Sequence, residues 1–278
     1  MDNNGLMSLK EMMEHEWSVS WSGGKDSTAT LILMHELGIP VRNIIYVRMM
    51  FDEETPATIP VMTDFVDRAK KVFEGWGYPV TVVKSNKTAM DLAKCVYRRS
   101  KFEDRNGHCY GITNFVRGMC KFTDVKQKTI KSLQDSLDYE MIGYACDETE
   151  RLHRLGDRKQ SVMVAMGVKE NDTYDICRRY DLLSPLYDLG LNRDGCWFCP
   201  NAKPDERNLI RERYPELVTK IRGLIKLCDY DILSLYRSGR VNWMKDKDIY
   251  APPVRKGTPV QLSLFDLFPT LMEGEKNV

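Results

Sequence analysis

The sequence predicts an α/β fold: a parallel sheet flanked by helices, followed by a cysteine-bearing helical C-terminal extension. Three observations predict it. Short apolar runs at 17–21, 43–47, 78–84 and 139–146 recur along the chain, with helical patterns at 28–37 and 59–75 between the first three. Strands and helices alternating at this spacing indicate βαβ units. A glycine turn, Ser22-Gly23-Gly24-Lys25-Asp26-Ser27, lies between the first strand and the first helix. Charged residues also cluster just after strands, at 48–54 and 147–154, and the carboxyl ends of parallel strands are where such sheets bind ligands.

The first strand, 17–21, alternates Trp17, Val19 and Trp21 with serines. The helix that follows carries Ala29, Leu31, Ile32 and Leu33. The turn between them therefore sits at a helix N-terminus, where unpaired N–H groups and the helix dipole favour an anion. Two adjacent glycines let the backbone approach a ligand closely. Lys25 adds a positive charge, and Ser22 and Ser27 add hydroxyls; Asp26 fits beside a phosphate if a metal bridges them or if it caps the turn. The spacing is not that of a Walker A loop, which places four residues between its first glycine and Gly-Lys. An ordinary βα turn rich in small residues is the plain alternative.

Gly38-Ile39-Pro40 stops the first helix. The second strand, 43–47, runs into the acidic loop 48–54, and a helix at 59–75 leads to the third strand, 78–84. The segment 87–131 is polar and basic, with Arg98, Arg99, Lys101, Arg105, Arg117 and Lys121 among its cations; it reads as a solvated face or as a surface that meets phosphates. The fourth strand, 139–146, ends at Asp147 and Glu148. A short helix at 170–180 carries Cys177, and a helix is expected over 204–229. These signals divide the chain into an N-terminal segment (1–16), a nucleotide-binding α/β domain (17–190), a Cys-x-x-Cys and helical extension (191–241) and a weakly structured tail (242–278), rich in Pro and Gly.

The chain has 278 residues, with 41 basic and 40 acidic side chains. Net charge thus argues neither for nor against nucleic acid, and only local clusters could. No run of 18 apolar residues occurs, as a membrane span needs, and residues 1–16 lack the apolar centre of a signal peptide; the expected location is cytoplasmic. Eight cysteines in such a protein point to metal binding, catalysis or burial rather than to disulfides. Cys196 and Cys199 are spaced to reach one ion or cluster. The same pair could form a redox dithiol or simply pack in a core. Zinc and iron–sulfur both suit thiolates, and spacing does not choose between them.

The hexapeptide at 22–27 resembles the PP-loop of ATP pyrophosphatases, which cleave ATP between the α and β phosphates. Further features resemble the phosphoadenosine phosphosulfate reductase-like branch of that superfamily, whose fold is termed adenine nucleotide alpha hydrolase-like. Arg117-Gly118-Met119-Cys120, with Lys126 and Lys128 following, is similar to the family's Arg-x-Cys segment with trailing lysines. The run from Ile142 through Gly143 to Asp147 and Glu148, with Arg151, is similar to its strand that ends in an acidic pair and an arginine. Asp175-Ile176-Cys177 followed by Cys196-Trp197-Phe198-Cys199-Pro200 is similar to its late cysteine cluster. The resemblance covers residues 17 to about 225.

The resemblance implies Lys25, Asp26 and Arg151 as catalytic residues. It implies Ser22, Gly23, Gly24, Lys25, Asp26, Ser27, Gly143, Asp147, Glu148 and Arg154 as nucleotide contacts. Cys120, Cys177, Cys196 and Cys199 would be metal ligands. ATP, Mg²⁺ and a 4Fe–4S cluster, with zinc as the alternative, are the implied cofactors. The acidic loop lacks the family's Asp-Thr-Gly, Cys120 stands alone where cluster-bearing adenylyl-sulfate reductases have paired cysteines, and no Glu-Cys-Gly-x-His motif or any cysteine follows Cys228. The expected activity is therefore adenylylation of an acceptor, including tRNA or DNA, for sulfur or other group transfer, rather than sulfonucleotide reduction. A nucleotide-sensing adaptor without turnover is the rival from another class, because Gln261-Leu262-Ser263-Leu264-Phe265 resembles the pentapeptide by which bacterial proteins bind the sliding clamp.

Overall fold

The computed structural model of the chain describes residues 5–99, 101, 103–134, 139–191, 195–230 and 232–252. In chain order its elements are α1 (Leu9–Met13), β1 (Trp17–Ser20), α2 (Lys25–Leu37), β2 (Val41–Arg48), α3 (Val61–Gly75), β3 (Val80–Lys84), α4 (Ala89–Lys94), β4 (Phe115–Val116), β5 (Met119–Cys120), α5 (Lys121–Lys131), β6 (Tyr139–Met141), α6 (Thr149–Leu152), β7 (Lys159–Gln160), α7 (Val162–Met166), α8 (Asp172–Arg179), α9 (Pro185–Asp188), α10 (Pro204–Arg213), α11 (Pro215–Lys226) and α12 (Ile232–Ser238).

Five strands form one parallel sheet in the order β3-β2-β1-β6-β7, and β4 and β5 make a separate antiparallel hairpin. The chain leaves β1 towards β2 on one side, whereas β6 lies on the other side of β1 and leads on to β7. Connections thus diverge between β1 and β6, and the crevice at such a switch point is where open α/β sheets bind ligands. The glycine turn after β1 and Gly143 after β6 both open onto it.

Helix α2 is enclosed nearly all round: Ala29, Leu31, Ile32, Leu33 and Met34 are all buried. It is enclosed because it lies between the sheet and helices α7 and α8, which pack against it. It starts at Gly24 and stops at Gly38, whose φ of +68° is the left-handed geometry of a helix C-terminus. Trp17 and Trp21 are buried on either side of Val19, and each indole N–H is satisfied: Trp17 donates to the Met12 carbonyl at 2.7 Å and Trp21 to Thr28 Oγ1 at 2.9 Å.

Several boundaries differ from the expectation. The fourth strand expected at 139–146 pairs only over Tyr139–Met141, because the backbone beyond it turns to run beneath the start of α2. The helix expected at 204–229 is two helices, broken at Tyr214-Pro215. Proline lacks the amide donor and forces the residue before it out of the helical region. The two-residue strands β4, β5 and β7 are too short to leave a periodicity. The tail does not loosen at 242: Trp243 and Met244 are buried, and Asp246 receives Arg207 Nε at 2.6 Å and pairs with Arg211. The pentapeptide at 261–265 lies outside the described residues.

The extension joins the core of the sheet domain. The indole N–H of Trp197 donates to the Pro56 carbonyl at 2.9 Å, its backbone N–H donates to Ala57 at 2.9 Å, and its ring lies 4.6 Å from Phe51. No helix among the described residues is long and apolar enough to cross a membrane.

Candidate functional site at the switch point

The glycine turn holds its own shape through its serines. Gly23 has a φ of +87°, which a residue with a Cβ rarely adopts. Ser27 Oγ accepts from the Ser22 amide at 3.2 Å and donates to the Gly24 carbonyl at 3.1 Å, and Ser22 Oγ accepts from the Gly24 amide at 3.2 Å. Both hydroxyls therefore shape the turn as well as lining it. The Lys25 amide donates to the hydroxyl of Tyr187, on α9, at 3.2 Å.

Gly143 is the close-approach position. A Cβ there would stand 2.9 Å from the Asp26 carbonyl carbon and the Ser27 nitrogen, so the end of β6 meets the turn backbone to backbone. This residue was expected to touch a nucleotide; the contact the structure gives it is with the turn.

Lys25 is only 4% exposed. Its ammonium meets Asp26 Oδ1 at 2.6 Å and Glu170 Oε1 at 3.0 Å, and it lies 5.3 Å from the centre of the Tyr174 ring. Burial alone would lower the lysine's pKa, but the hydrogen bonds to Asp26 and Glu170 outweigh it and hold the pKa above its usual value. Burial also pushes the Asp26 carboxyl up; Lys25 pulls it back in part, and the neighbouring charges of Glu148 and Glu170 raise it further. One cation is thus shared between two carboxylates. Thr173 Oγ1 donates to Asp26 Oδ1 at 3.3 Å, and Asp147 Oδ1 accepts from the Glu170 amide at 2.9 Å, which places Glu170 beside Lys25. Glu170 belongs to this site, although its sequence context marks it only as the start of a helix. Nothing local distinguishes it; only the fold brings it 145 positions back to Lys25.

Glu148 accepts from the Ala145 amide at 3.1 Å and from Arg151 Nη1 at 2.7 Å. The Arg151 guanidinium lies 5.1 Å from the centre of the Tyr144 ring. Arg151 and Arg154 are both exposed.

The cysteines divide between two places. Cys177 is fully buried on α8 against the helix of the glycine turn, with its thiol donating to the Lys25 carbonyl at 3.3 Å. Burial, with the charge of Asp26 in second place, pushes its pKa up to about 12. Cys120, at the head of α5, has Cys199 as an electrostatic neighbour, and Cys199 donates its amide to the Cys196 carbonyl at 3.0 Å. Burial raises the Cys120 pKa, while the Phe122 and Thr123 amides at the start of α5 draw it back. The expected four-cysteine set is therefore not assembled. Among the described residues no three His, Cys, Asp or Glu side chains converge to hold a metal, and Cys177 is committed to the turn. A cluster or zinc ion on all four thiols does not fit. None of the eight cysteines forms a disulfide.

No family model matches the chain. An uncharacterized protein of Methanocaldococcus jannaschii is 22% identical over 220 residues, which is 77% of this chain and 48% of that protein. The chain thus spans about half the length of the curated relative it matches. Among solved structures, the U34-tRNA thiolase NcsA from Methanococcus maripaludis, determined with its 4Fe–4S cluster, aligns with a TM-score of 0.39 at 16% identity, over 80% of this chain and 76% of that one. A likeness this distant assigns no activity. What the fold and site define is an α/β protein with a glycine turn and a lysine–carboxylate cluster at the switch point of a parallel sheet.

Proposed function

We propose that the chain is a PP-loop enzyme of the ATP pyrophosphatase type, which adenylylates an acceptor for sulfur or other group transfer. The observation that carries this reading is the Ser22–Ser27 turn at the N-terminus of a 13-residue helix, on the central strand, at the point where the sheet connections diverge. The amide-rich turn and the positive end of α2 suit the β and γ phosphates. Lys25 exchanges a carboxylate for a phosphate oxygen when ATP enters. Asp26 is the carboxylate of the turn that would hold a Mg²⁺ ion together with the nucleotide's own phosphates, and the ion would supply neutralisation of phosphate charge. Arg151, swinging from Glu148, meets charge that develops as the acceptor attacks the α-phosphorus and pyrophosphate departs. Acceptors in this reading include tRNA and DNA. No step is routed through the cysteines.

Calorimetric titration with ATP and Mg²⁺ tests the nucleotide site. Lys25→Met keeps the aliphatic stem and removes the charge, and a charge-assisted contact is worth about 1.5–3 kcal/mol, so affinity should fall about tenfold to a hundredfold. Unchanged binding would remove the turn from the nucleotide site.

A further inference from the structure

A groove away from the switch point has chemistry of its own. It lies between Tyr97 and Arg105, the β4–β5 hairpin and α12, and has a volume of about 300 Å³. Tyr97, Arg105, Val116, Met119, Tyr230 and Arg240 line it. The Tyr97 ring is stacked on Tyr110 at 3.8 Å and 29°, and the Arg105 guanidinium stands 5.2 Å from the centre of the Tyr230 ring. Tyr230 is held in place by its hydroxyl, which donates to Asp104 at 2.6 Å.

Arg117 and Arg240 are oriented by backbone carbonyls. Arg117 Nη2 donates to Gly239 at 3.0 Å, and Arg240 Nη2 donates to the Arg117 carbonyl at 3.1 Å. Among the described residues neither is in an ion pair with a carboxylate, so their charge is positioned but not neutralised locally. In a chain of net charge +1, the segments 96–117 and 229–240 together hold seven basic and four acidic residues. Met119, at the hairpin, is 62% exposed, which leaves its side chain open to whatever enters the groove. The next residue is Cys120, the neighbour of Cys199.

We propose that this groove docks a single-stranded nucleic acid, RNA or DNA. Aromatic and guanidinium planes give unpaired bases a stacking platform, and positioned arginines track the phosphates. A groove of this size admits splayed-out bases; a duplex keeps its bases stacked and paired inside. The proposal rests on the adenylylation reading only for the class of acceptor. It adds where that acceptor lies, leading past Met119 to the Cys120–Cys199 neighbourhood.

Fluorescence anisotropy of the full chain tests it, with a labelled single strand of about twelve nucleotides, as RNA and as DNA, and the duplex of the same sequence. The single strand should bind at least about tenfold tighter than the duplex, and the RNA and DNA arms identify the sugar. Met119→Glu should weaken binding about tenfold by placing an anion in the groove. Arg240→Gln should weaken it and also make the salt dependence shallower by about 0.7 in log–log slope, one phosphate contact for a single strand. A merely structural role for Arg240 would not move that slope. If Arg240→Gln does not fold, Met119→Glu, at an exposed position, decides alone. Variants that bind like the wild type, equal affinity for the duplex, or displacement by polyglutamate at equal charge would each overturn the proposal, the last by marking an exchangeable acidic ligand. ATP titration of the wild-type protein reads the glycine turn separately, so failure of the groove and failure of the nucleotide site give different results.

Discussion

The glycine turn and the cysteine neighbourhood are both built from short motifs, yet they came together very differently. The turn is six consecutive residues, and its serines and glycines fix each other within one βα junction. The metal site required four cysteines spread over 80 positions, from Cys120 to Cys199. The fold placed Cys177 against α2 and left Cys120 beside Cys199. A contiguous motif carries its geometry with it, whereas a scattered ligand set depends on which helix faces which.

The largest effect that separates the two regions is expected at Lys25. Lys25→Met leaves Asp26 and Glu170 facing each other without their shared cation. Loss of one partner of a buried pair costs about 3 kcal/mol, the low end because Asp26 and Glu170 are partly exposed. Urea unfolding checks this, and adding Asp26→Asn should recover part of the loss. An unaltered midpoint would mean that the carboxylates are not coupled through Lys25.

Gly143→Ala comes next. Its new methyl group would meet Asp26 and Ser27 backbone atoms, which cannot rotate away, and overpacking of this kind costs about 1–3 kcal/mol. Thermal melting should show it, together with weakened ATP binding as the turn shifts. Tyr187→Phe removes the acceptor of the Lys25 amide and should cost about 1 kcal/mol by the same melt.

The smallest effect lies in the cysteine region and sharpens the contrast. Cys199→Ser removes one cause that raises the Cys120 pKa, although burial is the larger one. Cys120 alkylation, followed by mass spectrometry against pH, should shift to slightly lower pH. Cys177→Ser should leave that profile unchanged. An equal shift from both would place Cys177 with the others after all.

The sheet was legible because strands such as 17–20, 41–48 and 80–84 are apolar and bounded by Gly, Pro or charge. The turn was legible because it is local. Glu170 was not, since its role follows from α8 packing on α2 rather than from its neighbours in sequence. The sequence names Gly143 as a nucleotide contact and does not show its close approach to the Asp26 and Ser27 backbone, which only the fold reveals. The Tyr214-Pro215 break was readable in the proline and was masked by continuous apolar spacing from Leu209 to Ile225. The aromatic groove was invisible for a further reason. Tyr97, Met119 and Tyr230 come from three separate segments, and only the 87–131 stretch announced itself, through its charge.

The most direct test of the account is product analysis with α-labelled ATP, Mg²⁺ and candidate acceptors, among them single-stranded RNA and DNA. The account predicts label in AMP or in an AMP-linked acceptor, with pyrophosphate released in equal amount, and loss of both in Lys25→Met. Label appearing in ADP, or sulfite release from phosphoadenosine phosphosulfate with ATP left intact under every acceptor, would contradict it.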